Sequence, residues 1–495
     1  MSFGWRVFHR LYTPYPIQHN YMKPTNKSFD LIIVGTGFAS TFYLTGCLKW
    51  PNPPKNILVL ERGEFIPHST RLKTGGKPDK THFKQFINVN PKKPWVFNSS
   101  FGGGSNCWWG STPRILPDDF KMKTNFGVGE DWPISYDDLE PFYSEAEAIM
   151  QIAGSKDMPY PMSKEYPLPA HQFSEPDELL KKAYPDKFYH LPTARATGGG
   201  KRPSCCGNSV CFLCPINSKF TIENGLIETY KNSRVTTLYG HEVIGLEHNG
   251  PIVTKAICLN QKGKEVKFSA DRFVLGAHAL FNPYILLKSG INLPQTGVGI
   301  CEQVGIAATL ELDGIEKKRG ITTTTGFGIN DLYGSHRKHR AGFMYNTVNT
   351  PMAISLTPNK PFSELQVIVA IEDFRQASNR VVYDPKEDKP ILQYKTHSPE
   401  AQKTLDVMQD ELEKIFSVLP LKSIKIKGMR ESESHIQCST PMGTTSENSV
   451  VDAKCIHHTK RNLIVLGSGN FPTASPPNPT ITISALSLYA ASHTS

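Results

Sequence analysis

The stretch Phe29-Asp30-Leu31-Ile32-Ile33-Val34-Gly35-Thr36-Gly37-Phe38-Ala39-Ser40 constrains the fold more than any other part of the chain. An apolar strand runs into a glycine turn and then a helix, the opening of a Rossmann-type α/β unit. Gly35 lets the chain turn, Gly37 lets the backbone approach a pyrophosphate, and the helix offers its N-terminal amides to the negative charge. Ser40 holds the third small position, which predicts that helix and strand sit slightly further apart than glycine or alanine would allow. The motif gains weight from Asn56 to Gly63, a second buried strand ending in Glu61. In such folds the acid that meets a ribose hydroxyl stands about 20 residues beyond the turn. An ordinary strand-end carboxylate is the plainer reading of Glu61.

Length and composition exclude several classes. A chain of 495 residues is too long for one compact core, so two or three domains are expected, interleaved in sequence. With 39% hydrophobic and 20% charged residues it has globular composition, and its 38 Gly and 38 Pro suit long loops around a cofactor. No run of about 18 apolar residues spans a membrane. The net charge of +10 is not gathered into a Lys/Arg block, so no nucleic acid is expected; a basic patch for an acidic redox partner is the alternative to solvated lysines. Residues 1–28 read as an N-terminal tail without the apolar core of a signal peptide.

Two loops carry chemistry. Phe101-Gly102-Gly103-Gly104-Ser105-Asn106-Cys107-Trp108-Trp109-Gly110 sets three glycines in a row, which cannot pack a core but let amides lie against a phosphate or a flat ring. Further on, Cys205-Cys206-Gly207-Asn208-Ser209-Val210-Cys211-Phe212-Leu213-Cys214-Pro215 holds four of the ten cysteines. Thiolates at this spacing converge on a soft metal, and a Cys-Pro ending after C-x-x-C suits an iron–sulfur cluster. Zinc takes the same ligands, and a disulfide or a structural loop are plainer alternatives. The other six cysteines are scattered, which argues against a disulfide scaffold.

Gly37 and Glu61 followed by the Gly-rich, Trp-containing loop resemble the glucose-methanol-choline (GMC) flavin oxidoreductases. Asp118-Asp119-Phe120 and Asp131-Trp132-Pro133-Ile134-Ser135-Tyr136 resemble the path from flavin loop to substrate domain in bacterial FAD-dependent sugar dehydrogenases. The Cys205 to Asn208 run resembles the one that carries a 3Fe-4S cluster in those enzymes. The resemblance therefore implies a metal-binding set of Cys205, Cys206, Cys211 and Cys214, with the last three as ligands, although Cys211 and Cys214 stand one residue closer than in the family pattern. The stretches His435 to Gly443, Ser449 to Asp452, Asn462 to Gly467, Phe471 to Thr473 and Asn478 to Leu486 follow the closing pattern of the family.

For FAD the resemblance implies contacts from Gly35, Gly37, Phe38, Ala39, Glu61, Arg62, Gly103, Gly104, Ser105, Asn106, Cys107, Trp108, Val243, Gly276, Ala277, Gly467, Asn478, Pro479 and Thr480. Cys107 falls where pyranose oxidases carry the histidine bonded to flavin, and an uncharged packing residue is the expected reading. His435 and Asn478 would face the substrate carbon as catalytic residues. A neutral imidazole is suited to take the hydroxyl proton at physiological pH, while the amide orients the hydroxyl without competing for it. Asn478 also reads as an N-cap with Pro479 in the first turn, aiming a helix's positive end at the flavin edge that becomes anionic on reduction. His278 reads as structural.

Between these motifs, Lys219 to Tyr230 reads as a helix, Arg234 to Val243 as a strand returning to the sheet, and Ile244 to Phe268 as an antiparallel meander around Asn249-Gly250. Asp271 to His278 closes the parallel sheet. Strands over Ala307 to Leu312 and Leu365 to Ile371 and a helix over Glu400 to Ser417 belong to a substrate sheet. The expected division is an FAD domain from 29–115, 200–291 and 430–495 and a substrate domain from 116–199 and 292–429. The expected activity is oxidation of a sugar or polyol hydroxyl, with electrons leaving through an iron–sulfur cluster to an external acceptor such as a cytochrome. A pyranose-oxidase-like sugar oxidase and a non-catalytic flavin electron-transfer subunit are the alternatives. The chain is expected in the cytoplasm, or in the periplasm if exported with a small partner subunit.

Overall fold

Apolar runs such as Leu31 to Val34 and Ile57 to Leu60 cannot face water on either side, so they form strands covered on both faces, and all eight residues are buried. The structure, a computed structural model, describes residues 28–75, 84–207, 211–315, 322–332, 334–349 and 364–495. The N-terminal tail up to residue 27 and Asn208 to Val210 of the cysteine loop lie outside the described residues.

In chain order the first sheet uses β1 (Phe29–Val34) and β2 (Ile57–Leu60). The second sheet begins with β3 (Phe188–His190). The chain then returns to the first with β4 (Val235–Leu238), β5 (Glu242–Asn249), β6 (Ile252–Leu259) and β7 (Glu265–Leu275). It fills the second with β8 (Val304–Leu312), β9 (Thr324–Asp331), β10 (Phe343–Val348), β11 (Glu364–Ile371) and β12 (Leu421–Met429), and β13 (Leu463–Val465) closes the first.

The order β4-β2-β1-β7 is parallel throughout, and β13 runs parallel on the other side of β7. Strand β7 serves two structures. Its second half pairs with β1 from Ala270 to Leu275, and its first half pairs antiparallel with β6, which pairs with β5 as the expected meander. Helix α1 (Phe38–Cys47) leaves β1, and α2 (Tyr136–Met150), α3 (Ile222–Tyr230) and α6 (Thr480–His493) pack around the same core. Gly46 lets α1 and α6 touch, since a Cβ there would lie 2.7 Å from that of Ala491. Ser40, at the third small position, is 1% exposed, and its hydroxyl donates to Val34 O at 2.9 Å. The shorter α3 begins after Thr221, whose hydroxyl accepts from Asn224 N and ends the helix there.

The second sheet is antiparallel, in the order β12-β8-β11-β10-β9-β3. Val304 and Ile306 on β8, Val367 and Val369 on β11 and Phe343 on β10 share a core with its covering helices. The single helix expected over Glu400 to Ser417 is two, α4 (Pro399–Asp406) and α5 (Met408–Phe416), because the backbone leaves helical geometry at Val407.

Candidate active site

The turn after β1 behaves as its glycines require. Gly35 has φ +90, and a Cβ there would meet Gly276 O at 2.6 Å, so the turn lies hard against the end of β7. Gly37 is extended and a Cβ on it would meet nothing within 4 Å, as would one on Gly104. Gly103 abuts Gly37, its added Cβ falling 3.2 Å from Gly37 Cα. The two glycine elements therefore form one cradle, open at the first-turn amides of α1. That space, reached by backbone rather than side chains, fits the diphosphate of a dinucleotide.

Glu61 is buried at the floor of this cradle. Its carboxylate accepts from Thr36 Oγ1 at 2.6 Å and Gly63 N at 2.8 Å, and Thr36 Oγ1 in turn accepts from Gly102 N at 3.1 Å. Burial raises its pKa against these bonds. Thr36, which carries no sequence signal of its own, ties the acid to the glycine loop. Arg62 points elsewhere, to Glu242 at 2.6 Å and over the Phe281 ring. Ser105 and Asn106 brace the loop from inside: Ser105 Oγ accepts from Ile222 N, and Asn106 donates to Phe101 O and accepts from Arg71. Phe38 and Trp108 meet edge to face at 4.8 Å, and the indole donates to Phe220 O. Ala39 is buried in α1, while Cys107 is exposed on the outer turn. Gly276 N donates to Val34 O, and Ala277 N donates to Asn282 Oδ1. Val243 is buried on β5, and Gly467, at φ +114, follows β13 with open space at its Cα.

His435 and Asn478 are 43 residues apart and meet: Asn478 Nδ2 lies 3.3 Å from His435 Nε2. His435 Nδ1 lies 2.8 Å from Gln303 Oε1, one residue ahead of β8. Gln303 Nε2 donates to Ser475 O at 2.6 Å and Pro477 O at 3.1 Å. Burial, helped by the Arg430 guanidinium, pulls His435 down to about 4, so the imidazole is neutral at pH 7. Asn478 does not cap α6: its side chain is spent on His435, and Pro479 precedes the helix that starts at Thr480. Asn478 Oδ1 is buried without a hydrogen-bond partner among the described residues. His278, packed on Phe97 at 4.9 Å, takes no part in this group. Gln303 is the residue that sequence reasoning missed, and a lone glutamine before a strand offers no signal.

The cysteine loop packs against the glycine loop. Lys219 donates to Trp108 O at 2.7 Å and to Phe212 O, and Arg195 donates to Trp109 O at 2.6 Å beside Cys211 Sγ. The thiols themselves do not gather. Cys205 Sγ faces Thr322 at 3.4 Å, Cys211 Sγ faces Thr323 at 2.8 Å, Cys214 Sγ accepts from Ser218 N, and Cys206 is exposed. Among the described residues no three Cys, His, Asp or Glu side chains converge as metal ligands, so the arrangement does not fit the expected cluster. A separate cleft of about 410 Å³, lined in part by Glu130, Gln295, Phe374 and Arg375, contains none of the expected site residues.

Comparison with known proteins supplies a family for the C-terminal part and relatives for most of the chain. The family model described as GMC oxidoreductase matches residues 367–487. The fructose dehydrogenase large subunit of Gluconobacter japonicus is 25% identical over 86% of this chain and 84% of its own. The 6'''-hydroxyparomomycin C oxidase of Streptomyces lividus is 24% identical over 80% of this chain and 78% of its own. The fold is that of pyridoxine 4-oxidase from Mesorbium loti, with a TM-score of 0.65 at 15% identity over 94% of this chain and 99% of the other. The family match and the fold neighbours support FAD as the cofactor. Residues 367–487 thus carry a GMC oxidoreductase C-terminal domain, and the relatives of the chain are dehydrogenases and oxidases. Among the described residues no helix is long and apolar enough to cross a membrane.

Proposed function

We propose that this enzyme oxidises a hydroxyl of a sugar or polyol, with His435 as the base and Asn478 as the group that orients the hydroxyl. The carrying observation is the approach of His435 Nε2 and Asn478 Nδ2 to 3.3 Å, beside a buried amide oxygen of Asn478 that has no hydrogen-bond partner among the described residues. The substrate O–H donates to Nε2 and its oxygen accepts from Asn478 Nδ2. Asn478 Oδ1 is then free to accept from a neighbouring hydroxyl, which a sugar or polyol supplies. FAD, held by Gly35, Gly37, Gly103, Gly104, Glu61 and the start of α6, supplies the hydride acceptor. We assign the sheet around β1 to the cofactor and the sheet around β8 to the substrate.

The names of the relatives, a fructose dehydrogenase and an aminoglycoside oxidase, support a carbohydrate-like substrate. The large-subunit name of the first supports partner subunits and an external acceptor over free oxygen. The electron exit expected from Cys206, Cys211 and Cys214 rests on sequence alone. Export with a small partner subunit belongs to the same proposal.

The test is anaerobic mixing of the holoenzyme with ketoses, aldoses, aldonates and acyclic polyols. At least one class should bleach the flavin in wild type and bleach it far more slowly in His435→Ala. Equal bleaching in both, or bleaching by simple monoalcohols alone, overturns the reading.

A further inference from the structure

We propose that Gln303 is the positioning residue that fixes the tautomer of His435, holding its proton on Nδ1 so that Nε2 always presents a lone pair to the substrate hydroxyl. The inference rests on the reading of His435 as base, and it follows from hydrogen-bond polarity alone.

A glutamine amide has one end that only donates and one that only accepts. Gln303 Nε2 lies 2.6 Å from Ser475 O and 3.1 Å from Pro477 O. Both are main-chain carbonyls and can only accept, so the amide nitrogen must face them. The opposite end, Oε1, is thereby forced towards His435 Nδ1 at 2.8 Å, where it can only accept. His435 must then carry its proton on Nδ1. The other ring nitrogen is left unprotonated, and the group it meets is a donor, Asn478 Nδ2 at 3.3 Å. Every polar atom along the line from Ser475 to Asn478 has one role only. The opposite tautomer would set two lone pairs against each other at Gln303 and two N–H groups against each other at Asn478.

The same side chain also fixes the second catalytic segment. Ser475 and Pro477 stand just ahead of Asn478, so one amide registers both the imidazole and the turn that leads into α6. It is well held for this. Gln303 is 3% exposed, and Cys301 and Gln437, two residues from Gln303 and His435 respectively, exchange main-chain hydrogen bonds at 3.3 and 2.9 Å. A base whose proton could move between nitrogens would spend part of its time with N–H towards the substrate, unable to accept.

The test uses ¹⁵N-histidine-labelled holoenzyme, with the His435→Ala spectrum identifying the His435 signals. Wild type should show Nδ1 protonated and Nε2 with the shift of an unprotonated ring nitrogen across neutral pH. Gln303→Met, close in shape but unable to bond, should bind FAD, show a mixture of tautomers, and reduce the limiting rate of flavin reduction by about 10- to 100-fold with little change in the substrate concentration for half-maximal rate. A wild-type spectrum with the proton on Nε2 overturns the proposal even if Gln303→Met does not fold, and so does a Gln303→Met enzyme with unchanged tautomer or rate. If His435→Ala bleaches like wild type, the reading of His435 as base fails instead, whatever the spectra show.

Discussion

Replacing Gly37 with valine should separate the needs of the fold from the needs of the cofactor. Gly37 is at φ −73 and ψ −173, backbone that any residue adopts, and an added Cβ would meet nothing within 4 Å. The folded apoprotein thus has no requirement for glycine here, and its stability should change by less than about 0.5 kcal/mol. The space ahead of that Cβ is where a diphosphate must lie to reach the first amides of α1. Losing one or two charge-assisted hydrogen bonds there costs about 3 kcal/mol, near a 100-fold loss of FAD affinity. With FAD at about 100 times the wild-type Kd, binding stabilises wild type by about 2.7 kcal/mol and the variant by only about 0.4. Titration of apoprotein with FAD and denaturation with and without FAD measure both quantities. Gly35→Ala is the contrast: at φ +90 and 2.6 Å from Gly276 O, its Cβ should cost the apoprotein about 2–4 kcal/mol before any cofactor is added. Wild-type FAD affinity in Gly37→Val, or an apoprotein loss as large as that of Gly35→Ala, would refute the reasoning.

His435→Ala should lower the limiting rate of flavin reduction by about 10²- to 10⁴-fold with FAD retained, and a loss of only a few-fold would remove the base from that role. The acid limb of that rate should fall near pH 4 rather than 6.5, because burial and Arg430 pull His435 down to about 4 and the neutral form is lost only as pH falls through that value. Glu433, which burial pushes up to about 7, pairs with Arg430, and Glu302 pairs with Lys93, so a second limb near 7 in rapid-mixing data would mean that the Arg430 pair, not His435, governs. Arg114→Met should cost about 3–5 kcal/mol in urea denaturation, since it strands Glu147, now bonded at 2.7 Å to both Nε and Nη2 and 2% exposed; a cost under about 1 kcal/mol would sink that account.

What could be read from the sequence was local. The β1 turn, the acid at the end of β2, the meander and the closing strand are each specified by residues within one strand and its flanking glycines. The structure places the turn, the acid and the Asn249-Gly250 hairpin as read, but the strand read over Asp271 to His278 is the end of the longer β7 and lies inside the sheet, with β13 parallel beyond it, and the strand read over Arg234 to Val243 is broken into β4 and β5. Errors arose where a single contact decided. Thr221 starts α3 later than read because its hydroxyl takes Asn224 N, a bond on which periodicity carries no information. The break at Val407 interrupts a pattern that stays amphipathic on both sides. Asn478 looked like a helix cap from its neighbours, but a histidine from another segment takes the side chain instead. Gln303 was illegible for the same reason, since its meaning lies in two carbonyls and an imidazole brought from elsewhere.

The cysteine loop shows where spacing stops being informative. Cysteine spacing names donors, but convergence depends on the charge that thiolates and their surroundings carry together. Those surroundings are unusual. Arg195, Arg202 and Lys219 are 1%, 7% and 1% exposed, and their partners are main-chain carbonyls, among them those of Trp109, Thr324, Ala194, Ser218, Met150, Trp108 and Phe212, with the Thr324 hydroxyl and Cys211 Sγ also at Arg195 and no carboxylate among the described ones. Buried charges are ordinarily paired, and here desolvation lowers Lys219 to about 8 and Arg202 to about 10. Three such cations would be a poor way to pack a loop of neutral thiols. Lys219 joins the glycine loop to the cysteine loop through Trp108 O and Phe212 O, Arg195 reaches Trp109 O and Cys211 Sγ, and Arg202 holds carbonyls outside both loops, so this corner of the fold keeps buried positive charge that calls for a negative partner. That requirement, invisible in a C-x-x-C count, is a stronger reason than the spacing itself to look for anionic chemistry there.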